Sequence, residues 1–163
     1  LRPPPEGLAG DGLHAWLVDR LDRPVRVCGM VPNEGEPGGG PFWVRDADGS
    51  ASLQIVEPGQ VDRERKDQRE IWAAATHFHP VDLVRGLRDR KGAAHDLGRF
   101  HDPDAVFIAE KRHEGRPMKA LERPGLWNGA MAGWNTVFVE VPAETFAPVK
   151  TVLDLLRPEH QVE

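Results

Sequence analysis

Apolar and polar residues follow two periods along this chain, and the β-type period comes first. Between Val25 and Val61 lie three short runs rich in β-branched and aromatic residues, Val25 to Val31, Pro41 to Arg45 and Ala51 to Glu57, separated by segments of Gly, Pro, Asn and Asp that favour turns. Asp46-Ala47-Asp48-Gly49 is a short hairpin turn, so the second and third runs are expected to pair antiparallel. Further strands are expected over Val106 to Lys111 and Pro117 to Leu121, around a turn at Glu114-Gly115, and over Asn135 to Val141, where Val137, Val139 and Val141 alternate with Phe138 and Glu140.

The helical period appears at Leu13, Trp16, Leu17 and Leu21, spaced i, i+3, i+4 and i+8 behind a capping Asp11 and ended by Pro24. A second helix is expected over Asp62 to Ala75, its first half solvated. A third is expected from Pro80, with Leu83, Val84 and Leu87 as its buried side. A last short helix opens at Pro148 and places Val149, Val152, Leu153 and Leu156 on one face. Helices and strands intermixed in this way predict an α/β (mixed α+β) layered domain. Residues 1–10, with three consecutive prolines, read as a linker, and residues 11–163 as one domain that forms the C-terminal part of a longer protein.

Composition narrows the partners. With 39% hydrophobic and 29% charged residues, the 163-residue chain has enough apolar material for a core. Its net charge of -5 and scattered Lys and Arg argue against nucleic acid, and no apolar run is long enough for a membrane helix. The single cysteine, Cys28, sits mid-strand and suits a buried thiol in a reducing, cytoplasmic setting.

The loop Pro32 to Gly40 holds four Gly and two Pro in nine residues. Such a run is used where the backbone needs positive φ or where another group must approach it closely, so a ligand and an irregular strand connection both remain open for it. It is neither a P-loop nor a dinucleotide fingerprint. His77 and His79, two apart and followed by Asp82, could hold a Zn-, Mn- or Fe-type ion in the manner of a cupin, or could serve as hydrogen-bonding and stacking histidines. No nucleophile with a sequence-local base is legible. Trp43, Trp127 and Trp134 offer stacking faces for a sugar, which would suit a non-catalytic carbohydrate or nucleotide-binding module. Lys150 stands two residues after Pro148, at the start of the last expected helix, where a cation needs either solvent or an anionic partner.

Several segments together carry a resemblance: V-C-G-M-V-P-N-E-G-E-P-G-G-G-P-F, L-Q-I-V-E, T-H-F-H-P-V-D-L-V, L-E-R-P-G-L-W-N-G-A-M-A-G-W-N-T-V-F-V-E-V-P and F-A-P-V-K-T-V-L-D-L-L-R-P-E-H-Q. From about Leu13 onward they resemble the C-terminal portion of a bacterial family of domains of unknown function. More distantly, the order of E-P-G loop, D-G turn, L-Q-I-V-E strand, V-F-V-E-V strand and F-x-P-x-K is similar to the second half of the UDP-sugar pyrophosphorylases, including the UDP-N-acetylhexosamine enzymes. That resemblance implies the C-terminal part of a GT-A-like nucleotidyltransferase fold with a mixed sheet. It also implies transfer of a nucleotidyl group to a sugar 1-phosphate, with pyrophosphate released and Mg²⁺ screening the charge. By the same resemblance Lys150 would contact phosphate, Glu57, Phe78 and His79 would border the sugar, and Trp127, Asn128 and Gly129 would close the pocket. The partners implied are a sugar phosphate or nucleotide-sugar and an upstream N-terminal domain of the same protein, because the Gly-rich triphosphate loop of the pyrophosphorylases has no counterpart here. Two further departures are His79, where that superfamily tends to have Asn, and Thr151, which follows the lysine in place of Asn.

Overall fold

The computed structural model describes residues 3–35, 38–46, 49–149 and 151–161. In chain order the elements are α1 (Gly10–Leu21), β1 (Val25–Pro32), β2 (Gly40–Arg45), β3 (Ala51–Val56), α2 (Lys66–Ala73), β4 (His77–Phe78), β5 (Leu83–Gly86), β6 (Phe107–His113), β7 (Arg116–Glu122) and β8 (Asn135–Glu140). Short 3-10 turns follow at Ala143–Thr145, Val152–Leu156 and Pro158–His160. This is the mixed α+β architecture that the intermixed periods predict.

β1 is the strand on which the others are built. Along one edge β8 runs parallel to it, from Val25 opposite Asn135 to Met30 opposite Glu140. Along the other edge β5 pairs antiparallel with its first half, Val27 opposite Val84 and Cys28 opposite Leu83. β4 pairs antiparallel with its end, Val31 opposite Phe78 and Pro32 opposite His77. β2 and β3 form a hairpin, as do β6 and β7.

β4 and β5 are thus one antiparallel strand interrupted by a bulge. From Phe78 to Leu83 the chain inserts His79, Pro80, Val81 and Asp82 opposite only Gly29 and Met30 of β1. The helix expected from Pro80 does not form; Leu83 to Gly86 is strand. Proline at a helix start and proline in a bulge look alike in sequence, since each position lacks a bonded N–H. Here Gly29 N donates to Asp82 O at 3.0 Å and reopens the ladder. Val81 lies at φ 78, a conformation sterically strained for a β-branched residue.

The sheet has two unlike faces. One carries Arg26, Cys28 and Met30 of β1, Leu83 of β5 and Phe138 of β8; Ile55 of β3 and Trp127 pack on it to make the core. Arg26 is buried within this core: Nε donates to Thr136 Oγ1 at 2.8 Å and one terminal nitrogen to Gln54 Oε1 at 2.9 Å. Gln54 in turn donates to Ala132 O at 2.9 Å, so one guanidinium links β1, β8 and β3. Desolvation by burial lowers the Arg26 pKa. The opposite face carries Val27, Val84 and Val137 in one row across three strands.

Elsewhere the helices are shorter or start differently than the pattern predicts. α1 is capped at Ala9 with Asp11 inside its first turn, and none of its residues is buried. α2 begins at Lys66, after Asp62 has accepted a bond from Glu64 N at 3.0 Å and fixed a turn. The closing helix shrinks to the five-residue turn Val152–Leu156, capped by Thr151 and Asp154, and Val152, Leu153 and Leu156 are exposed. Thr151 N donates to Asp154 Oδ2 at 2.7 Å. That box sets the start after the threonine, and Pro158 leaves no room for a full α-helical run.

Replacing Arg26 by Ala removes the link among the three strands and leaves Gln54 and Thr136 without their donor. The expected loss of stability is about 3 kcal/mol, from the cavity and the orphaned acceptors together. A urea midpoint within 0.2 M of the parent protein would show that this guanidinium does not tie the sheet to β3.

Candidate functional site

The bulge at 79–82 gathers most of the residues singled out from the sequence. Phe78 ends β4 and His79 opens the bulge, and the two rings lie on opposite sides of the sheet. Phe78 goes to the valine side, where its ring meets Phe146 edge to face at 5.2 Å between centroids. His79 goes to the core side, where its ring meets Trp127 edge to face at 4.5 Å. Both residues are buried.

Glycine at position 39 joins this pair to Glu57. Gly39 O accepts from His79 N at 2.8 Å, and a Cβ on Gly39 would lie 2.7 Å from Glu57 Oε1 and 3.0 Å from Val56 O. The close approach that a Gly-rich run implies is therefore made, among the described residues, by the end of β3. Glu57 also closes the turn that follows it, since its carboxylate accepts from Gln60 N while Glu57 N donates to Gln60 Oε1 at 2.8 Å. Burial pushes the Glu57 carboxyl above its usual range.

His79 is held in one tautomer. Its Nδ1 lies 3.1 Å from Gly29 O, and a carbonyl can only accept, so Nδ1 carries the proton and Nε2 the lone pair. Nε2 is buried and has no hydrogen-bond partner among the described residues. Burial chiefly lowers the His79 pKa; the bond to Gly29 and the charge of Asp82 oppose that shift, and Arg26 adds to it.

Asn128 and Gly129 are turned away from this cluster. The Asn128 amide donates to Ala105 O at 3.0 Å and Arg123 O at 3.2 Å, and its oxygen accepts from Gly125 N at 3.2 Å. Gly129 has φ 92, and a Cβ there would lie 2.5 Å from that of Ala105. Both residues thus fix the loop that presents Trp127. Lys150 lies outside the described residues, and the turn after it is too short to act as a helix dipole. Phe146 is a participant that sequence pattern missed. Its only signal is its place at the head of the F-A-P-V-K segment.

The metal alternative does not assemble. His77 Nε2 lies 3.0 Å from Glu140 Oε2 and its Nδ1 2.9 Å from Thr76 Oγ1, whereas His79 turns to Gly29. Among the described residues no three His, Cys, Asp or Glu side chains converge on one point. The three tryptophans do not make one platform either. Trp43 and Trp134 line a cleft of about 390 Å³ that excludes Trp127. Another cleft of about 390 Å³ lies between Arg23, Ser50, His101 and Trp134, again away from Glu57 and His79. No helix among the described residues is long and apolar enough to cross a membrane.

Gly39→Ala is expected to displace the Glu57 carboxylate and to cost about 1–3 kcal/mol as an overpacked contact; unchanged thermal stability would mean that the two do not touch. Protonation of His79 and of Glu57 has opposite consequences. His79 has its folded pKa below the unfolded 6.5, so its contribution is complete above pH 6.5 and is lost as the pH falls through the folded value. Glu57 has its folded pKa above 4.5, so its contribution is complete below pH 4.5 and is lost as the pH rises through the folded value. Between pH 7 and pH 5, His79→Gln should therefore lose less stability than the parent, and Glu57→Gln more. Parallel stability curves for all three proteins would contradict both assignments.

The chain is similar to three crystal structures of single-residue variants of UDP-glucose pyrophosphorylase from Leishmania major. Sequence identities are 17%, 17% and 19% and TM-scores 0.46, 0.49 and 0.47, and two of the three are complexes with UDP-glucose. Each comparison covers 91% of this chain and 33% of the other, so the chain spans about a third of the length of those structures. No curated protein matches it in sequence. The family described as Domain of unknown function (DUF4301) matches residues 7–161, and the chain belongs to that family.

Proposed function

We propose that this chain forms the sugar-side part of a nucleotidyltransferase of the UDP-sugar pyrophosphorylase type, working with an upstream half that grips the nucleotide triphosphate. The observation that supports this reading is the contact between Phe78 and Phe146. It seats the beginning of the F-A-P-V-K segment on the T-H-F-H segment, and a tether of four residues from Phe146 reaches at most about 14 Å. The head of the segment that carries the lysine assigned to phosphate therefore adjoins the T-H-F-H segment at one end of the sheet.

In this reading Glu57 and His79 receive sugar hydroxyls, Trp127 offers an apolar face, and Lys150 neutralises phosphate. Asn128 and Gly129 contribute by shaping the Trp127 loop. A phosphate oxygen of the sugar 1-phosphate attacks the α-phosphorus of the nucleotide, and pyrophosphate leaves. Such a reaction rests on alignment and charge compensation and requires no protein nucleophile. In this reading a Mg²⁺ that screens the charge would be held mainly by the phosphates, since Mg²⁺ needs only one or two carboxylates from a protein.

UDP-glucose is the first ligand to test, by isothermal titration against the full-length protein. Lys150→Ala should weaken binding at least about tenfold, the effect of losing one charge-assisted hydrogen bond to phosphate. Equal affinities would remove Lys150 from the site. Absence of both UDP-glucose binding and pyrophosphate release from UTP with glucose 1-phosphate would remove the nucleotidyltransferase reading.

A further inference from the structure

Beyond Val31 and Phe78, which are buried at one end, the valine face of the sheet is left open among the described residues. Val84 is 71% exposed, Val137 47% and Val139 43%, although Val27, Val84 and Val137 stand in register across three adjacent strands. An exposed apolar row on an antiparallel sheet would be unusual. Here the row includes a parallel ladder, and parallel strands occur almost only where both faces of the sheet are covered. Among the described residues β8 pairs with β1 alone, so its outer edge is open as well.

The area agrees. The accessible surface of the chain is 11760 Å². A folded monomer of 18.1 kDa should expose about 8,100 Å², which leaves an excess of roughly 3,700 Å². A symmetric dimer hiding that excess on both copies would bury about 7,400 Å² in total, well above the roughly 2,000–5,000 Å² of most obligate interfaces. The apolar exposure is also spread over several elements, with Ile108 and Leu121 on the β6–β7 hairpin and Val152 and Leu153 in the closing turn. A two-fold interface uses one self-complementary patch, whereas a covering layer of polypeptide can reach several.

We infer that the valine face is the docking surface for a helical layer supplied by the same polypeptide outside residues 1–163. That layer packs an apolar stripe on Val27, Val84, Val137 and Val139. The crossover between β1 and β8 already supplies the residues that cover the Cys28 and Met30 face. In a doubly wound sheet the second face is covered by the connections to further strands. The inference rests on the proposed function only for naming the occupant as the upstream half. The need for a cover follows from the sheet itself.

The test uses thiol labelling in the full-length protein carrying Val137→Cys or Val84→Cys, read by peptide mass spectrometry. Cys28, the one native cysteine of this stretch, is fully buried and gives the internal reference. Both introduced thiols should react at least ~100-fold more slowly than in urea, at every protein concentration. Fast labelling in the full-length protein would overturn the inference. So would protection that vanishes when a dimer is diluted to monomer mass, which would assign the face to a second copy. The readout contains no substrate, so protected thiols in a protein that fails to bind UDP-glucose would leave the docking surface standing and remove the functional reading alone.

Discussion

The bonding of β1 on both edges, parallel to β8 and antiparallel to the β4–β5 strand, governs the rest of the chain. A parallel partner cannot be reached by a tight turn. It requires a long crossover, and everything between Pro32 and Asn135 belongs to it. Gln54 and Ile55 of the β2–β3 hairpin and Trp127 of the last loop all reach the Arg26, Cys28 and Met30 side. The main core cluster therefore lies on one side, and among the described residues the other side buries only its end, where Val31 and Phe78 lie and Phe78 meets Phe146. Arg26 marks the centre of the main cluster, joined to neutral acceptors on two neighbouring elements, which holds three segments in fixed register at the expense of a buried, desolvated guanidinium.

That arrangement explains which parts of the fold were legible in the sequence. The two hairpins were, because turn residues and flanking β-branched runs are adjacent in the chain and decide the pairing by themselves. β8 was legible as a strand, but its alternation cannot say which side is buried. Phe138 faces the core and the valines face outward because Cys28 stands beside Phe138 in the parallel ladder, a pairing between residues about a hundred positions apart. The stretch after Thr76 was misleading for the opposite reason. Pro80, Leu83, Val84 and Leu87 satisfy a helical template locally, and only the presence of β1 on that edge turns them into a bulged strand.

The site divides along the same line. His79, Glu57 and Trp127 come together through the bulge and one close glycine contact, whereas Phe78 points to the other side of the sheet and meets Phe146; the Gly-rich run announces such a contact without naming its partner. Asn128 and Gly129 could not be oriented from residue type. An asparagine amide bonds backbone carbonyls as readily as ligand hydroxyls, and here the carbonyls of Arg123 and Ala105 take both donors. Phe146 escaped notice because a lone aromatic between polar residues and prolines has no period to reveal it.

Burial acts on His79 and Glu57 in opposite directions on the pKa scale but with one result. It lowers the histidine and raises the carboxyl, so both shifts favour the uncharged form. A cluster biased in this way gains less from gripping a phosphate than from exchanging hydrogen bonds with neutral hydroxyls, since burial raises the cost of each charged form. Under the proposed function, charge compensation must come from outside the cluster. The F-A-P-V-K segment is the part of this chain that can bring it, because Phe146 anchors it at Phe78, on the far side of the sheet from His79. Sugar recognition and phosphate recognition would then belong to separate segments meeting at one bulge. The two tasks could be weakened independently, the first through the Gly39 contact and the second through the Phe146 anchor.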